Sequence, residues 1–158
     1  MTPRLGALPL GLALAAVVCG QAPLAVAATY AVDDGASLPW RATTIMKWRT
    51  PGPNRLNGNI VDGVTVVTLV LNTAPWLHRF GRIYMFLPEP ASGPVTANWT
   101  TQGRLLPGSL VAGQRTLIYA GQITTSSISD TVTMNVHADG RRLTSDQNLD
   151  FQFEIEVQ

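Results

Sequence analysis

The sequence predicts a single all-β domain, an antiparallel β-sandwich of about seven or eight strands. Three observations carry this. The C-terminal run alternates strictly between apolar and polar residues. Short β-rich runs are separated by dense Pro and Gly punctuation, with 25 of 158 residues being Gly or Pro. No stretch of residues 28–158 carries an apolar stripe of helical period.

The last strand is the clearest. Leu149, Phe151, Phe153, Ile155 and Val157 alternate with Asp150, Gln152, Glu154 and Glu156, which places the two sets on opposite faces. Before it, Val132, Met134, Val136 and Ala138 alternate with Thr131, Thr133, Asn135 and His137. Asp139-Gly140 supplies a turn, and the stretch to Asn148 is long for a two-residue hairpin, so a longer loop or extra pairing is expected. Val95, Ala97 and Trp99 face away from Thr96, Asn98 and Thr100, and Leu117 and Tyr119 oppose Ile118. Val64 to Leu71 is apolar on both faces, as a central, doubly covered strand would be. Arg82 to Leu87 is a further apolar run rich in β formers. Thr44 to Arg49 alternates more loosely, and Trp48 and Trp99 are expected in the core. Ala28 to Pro39 reads either as a flexible N-terminal extension or as a first edge strand.

Residues 1–27 have the layout of a secretory signal peptide. Arg4 precedes an apolar run from Leu5 to Cys19, and Ala25-Val26-Ala27 is a small-x-small cleavage site. Two alternatives are a lipid-bearing Cys19, against which Val18 is bulky, and an uncleaved anchor, for which Pro9, Gln21 and Pro23 are unfavourable. Cleavage after Ala27 leaves one domain, residues 28–158, with ten basic and ten acidic residues and no thiol. That excludes disulfides, a cysteine nucleophile and thiolate metal sites from the mature chain. A zero balance gives no clustered basic excess for nucleic acid, and no stable membrane span remains once the leader is gone. Export to the periplasm, cell surface or medium of a bacterial host is the expectation.

Catalytic chemistry finds little support. His78 and His137 are far apart in sequence, and His137 lies on the polar face of its strand. No metal-ligand spacing occurs, and Asp33-Asp34 reads as a solvated turn. Ser109 follows Pro107-Gly108, a turn context without a nucleophile elbow. Glu154 and Glu156 share one strand face, as an outer solvated face would have them. The reading is a non-enzyme with no catalytic, cofactor or metal residue and no cofactor.

Two segments remain as candidates for partner binding. Asn72 to Arg82 sets Trp76, His78, Arg79, Phe80 and Arg82 between two apolar strands. Trp and Arg are favoured anchors for protein or carbohydrate partners. The structural alternative is a crossover whose Trp76 and Phe80 plug one end of the sandwich while the arginines stay wet. The other segment is the terminal strand, with Phe151, Phe153, Ile155 and Val157 as a strand-exchange edge.

The run Phe151-Gln152-Phe153-Glu154-Ile155-Glu156-Val157-Gln158 resembles the terminal strand of chaperone–usher pilins. The resemblance implies an immunoglobulin-like sandwich and a fimbrial or surface-assembly subunit. It also implies protein partners: a periplasmic chaperone and other subunits, joined by strand addition. Tyr30 and Val32, alternating with Ala31 and Asp33, would begin the N-terminal extension. Val157 stands where many pilins have a penultimate tyrosine, and the cysteine pair common in that family is absent. The alternative is a monomeric exported binding module that uses the 72–82 loop.

Overall fold

A computed structural model describes residues 28–38, 44–50, 59–90, 93–143 and 149–158. The expected leader and the turn at 51–54 lie outside the described residues. Alternation of apolar and polar side chains builds nine strands. They are β1 (Ala28–Ala31), β2 (Lys47–Trp48), β3 (Ile60–Asn72), β4 (Phe80–Phe86), β5 (Val95–Thr101), β6 (Gly108–Val111), β7 (Arg115–Gln122), β8 (Ser127–Asp139) and β9 (Gln152–Val157). A single 3-10 turn, Ala74–Trp76, is the only helical element among the described residues. The count exceeds the expected seven or eight because it includes very short strands, such as β2 with its two residues.

All pairings are antiparallel, in two sheets. The first has the order β1-β9-β4-β7 and the second β2-β3-β8-β5-β6. Their facing sides bury Leu71, Ile83, Ile118, Ile155, Phe153, Val157, Met134 and Trp99 among others. The fold is therefore an all-β sandwich. β8 and β9 belong to different sheets, so the Asp139-Gly140 turn opens a crossover and not a hairpin.

Two of the crossings between the sheets run along the sides of the sandwich. On one, β6 and β7 are stitched together: the Leu106 amide donates to the Ile118 carbonyl at 2.7 Å and the Thr116 hydroxyl to the Ser109 carbonyl at 2.9 Å. On the other, β1 leaves the first sheet at Asp33, whose side chain accepts from the Gly35 amide at 3.0 Å. The chain then reaches the second sheet, where Leu38 bridges Thr68 on β3.

Four expectations are corrected. Val64 and Val66 on β3 are 61% and 54% exposed, so this strand is covered on one face only. Its second apolar face reflects the β preference of Val, which holds without burial. Trp48 is 45% exposed because β2 is a two-residue edge, although its ring lies over Gly140, where an added Cβ would fall 2.5 Å from Cη2. Ile118 and Tyr119 are both buried, because a register shift in the β4–β7 ladder between Ile83 and Tyr84 breaks the expected alternation. Ser109 lies inside β6 and not in a turn.

Candidate partner-binding surfaces

β9 sits between β1 and β4, so the terminal strand is not an edge. Phe153, Ile155 and Val157 point into the core and Phe151 packs partly against it. The edge is β1, paired through Ala28–Val157, Thr29–Glu156, Tyr30–Ile155 and Ala31–Glu154. One further rung follows, in which the Val32 amide donates to the Phe153 carbonyl at 2.8 Å. The N-terminal segment is thus an edge strand. All four β1 side chains are exposed, and Val32 is the first buried one.

On the outer face of this sheet, Glu154 and Glu156 meet Arg115. Its Nη2 lies 2.7 Å from Glu156 and its Nη1 3.8 Å from Glu154. The same guanidinium lies over the Tyr84 ring at 4.5 Å, and the Tyr84 hydroxyl donates to Glu156 Oε2 at 3.2 Å. Both carboxylates are therefore engaged in a structural network, two residues apart on one strand face.

The 72–82 segment divides between interior and solvent. Trp76 is 9% exposed, with its ring centroid 6.1 Å from that of Tyr30. His78, Arg79, Phe80 and Arg82 are exposed. Trp76 thus closes the side of the sandwich while Phe80 does not. The backbone is fixed by the neighbouring crossover: the His78 amide donates to the Ile123 carbonyl at 2.8 Å, and the Ile123 amide to Arg79 at 2.9 Å. The Arg79 amide also donates to the Trp76 carbonyl at 3.2 Å. His78 has φ of 66°, so it occupies the position of this turn that usually takes Gly or Asn. A side chain held there at a cost in backbone strain is presented to solvent at a fixed angle.

A third cluster escaped the sequence analysis. Asp62 and His137 stand opposite each other on β3 and β8, with Arg49 just beyond β2. Arg49 donates to both Asp62 oxygens, Nε to Oδ2 at 2.7 Å and Nη2 to Oδ1 at 2.8 Å. His137 Nδ1 lies 2.6 Å from Asp62 Oδ1 and 3.2 Å from Arg49 Nη2. An oxygen so close requires the proton on Nδ1, so His137 donates to Asp62 and the Arg49 contact is a neighbour and not a bond. Beside the cluster, Ile45, Lys47, Asp62 and Val64 line an open hollow of about 410 Å³. Arg49 holds the Asp62 carboxyl below the ordinary carboxylate range, against a smaller opposing effect of burial, with His137 adding to the depression. The only signal available in sequence was parity, since Asp62 and His137 both occupy polar positions. Their meeting depends on register.

Among the described residues no group of three or more His, Cys, Asp or Glu side chains converges as a metal site would. No described helix is long and apolar enough to cross a membrane. No protein-family model, no curated protein and no solved structure matches the chain.

Proposed function

We propose that the protein is an exported structural subunit of a surface assembly of fimbrial type, built on an immunoglobulin-like sandwich whose last strand is completed by an N-terminal strand. The observation that carries this reading is the β1–β9 pairing. β1 is short and lies at a sheet edge, all of its side chains are exposed, and among the described strands it pairs with β9 alone, with the Val32 rung and the Tyr30–Trp76 contact beside it. A short edge strand held by one neighbouring strand and the Tyr30–Trp76 contact exchanges at low cost between its own chain and a neighbour, and strand addition is an established mode of recognition. The pilin-like run in β9 and the predicted leader agree with it. Partners under this reading are proteins: a periplasmic chaperone and further subunits.

The test compares the full chain, produced in an exporting host, with a variant lacking residues 28–36. The variant should aggregate or pass to a chaperone, and a synthetic peptide spanning residues 28–36 should restore a soluble, cooperatively melting form. A deletion variant that stays monomeric with an unchanged melting temperature would overturn the proposal.

The exposed His78–Arg79 turn favours the second reading, a monomeric module that binds a carbohydrate or protein. Glycan-array binding that disappears in Arg79→Ala, by a protein indifferent to deletion of β1, is the result that would favour it.

A further inference from the structure

The geometry points to a second interface, in which two copies of this chain pair edge to edge through the outer side of β1, with Tyr30 facing Tyr30 across a two-fold axis. It goes beyond the proposed exchange of β1, because it uses the side of that strand turned away from β9.

The register defines that side. The Gln158 amide donates to the Phe80 carbonyl, so Glu156 and Glu154 bond toward β4, while Val157, Ile155 and Phe153 bond toward β1. The Val32 amide donates to the Phe153 carbonyl, which sets Val32, Tyr30 and Ala28 as the residues bonding toward β9. It follows that the amide and carbonyl of Thr29 and of Ala31 point away from the sheet. Among the described residues nothing hydrogen-bonds to them.

The other sheet margins are managed. β7 is tied to β6 by Thr116–Ser109 and to the loop before β6 by Leu106–Ile118, and β2 carries Lys47 and leads into Arg49. The β1 edge, Ala-Thr-Tyr-Ala, has no charge, proline or bulge to discourage addition of another strand. Its pattern is also self-complementary. In an antiparallel pair centred on Tyr30, Thr29 of each copy exchanges both backbone bonds with Ala31 of the other. Tyr30 then meets its counterpart at the non-bonded position, where side chains approach most closely. Tyr30 is 46% exposed beside Trp76, so part of the residue is left for that contact. The pairing is isologous and closes at two copies. The strip is short compared with a stable interface, so the dimer is weak and depends on concentration.

Two measurements test it. In Thr29→Cys with Glu156→Cys, a disulfide across a non-bonded rung ties β1 to its own β9 and blocks exchange between chains. By sedimentation velocity this protein should pass from monomer to dimer with rising concentration and stop there. In the otherwise native chain, Thr29→Lys with Ala31→Lys should weaken dimerisation about tenfold. If the unlocked parent dimerises like the locked protein and never exchanges β1, the functional proposal fails while this inference stands. A locked protein that remains monomeric at every concentration overturns it. So does a double-lysine variant that dimerises as tightly as its parent.

Discussion

Asp62 Oδ1 and His137 Nδ1 lie 2.6 Å apart across the β3–β8 ladder, and the same carboxylate takes both arms of the Arg49 guanidinium. One acidic side chain thereby ties the margin of β2 to the two long central strands of its sheet. Its pKa is lowered chiefly by the Arg49 hydrogen bonds, so it binds protons less readily folded than unfolded. The stability it contributes is present above the ordinary carboxylate range and is lost as pH falls through its depressed folded value. Urea titrations from about pH 5 down to about pH 2 should show this acid limb in the parent and a shallower one in Asp62→Asn. Identical limbs would mean that the carboxylate adds nothing to folding.

Asp34 should behave in the opposite sense. Burial is the largest influence, and with the nearby Asp33 and Asp150 charges it raises the folded pKa against a hydrogen bond from Asp34's own backbone. A raised carboxyl pKa costs stability once the group is ionised, so Asp34→Asn should be more stable than the parent at neutral pH. The gain should shrink as pH falls through the raised value and vanish below the ordinary carboxylate range. Paired denaturant titrations at neutral and acid pH check both sign and window.

Asp130 occupies a core-facing position of β8 and is 5% exposed. Its two oxygens accept the amides of Gln102, at 3.1 Å, and Leu105, at 2.8 Å, pinning the loop after β5. Asp130→Ala leaves the buried Leu105 amide without a partner, and the expected cost is about 3 kcal/mol in equilibrium unfolding. A cost below about 1 kcal/mol would show that the loop relaxes to find other acceptors.

Trp76 and Arg79, three residues apart, should separate cleanly. Trp76→Ala empties a packed site against Tyr30 and should cost about 3 kcal/mol or more. Arg79→Ala removes an exposed side chain and should stay within about 0.5 kcal/mol of the parent. Thermal unfolding of the two variants decides whether the segment is half plug and half exposed turn.

The strict alternation of β8 and β9 made those strands, and the two-sheet architecture, legible in the sequence. Composition could not tell which face of Val64-Val66 is wet, because Val serves an exposed strand as readily as a buried one. Trp48 misleads for a related reason, since a tryptophan can lie over a glycine at an edge and remain half exposed. Asp130 was visible as an acid in the same parity as Val132 and Met134, a position that announces a buried carboxylate once parity is extended one step. The Asp62–His137–Arg49 cluster and the β1–β9 pairing rest on register between remote segments, which no local pattern encodes.

The placement of β9 between β1 and β4 has a kinetic consequence. β1 lies near one end of the described chain and β4 in its middle, and the two stay unjoined until β9 itself has been synthesised. Contacts this non-local make a domain slow to fold, since loop closure must precede the interactions that reward it. While β9 is missing, β4 lacks a neighbour and β1 has nothing to dock on. A chain that has not yet reached β9 is therefore held open by its own topology, and completion of the first sheet waits for that strand.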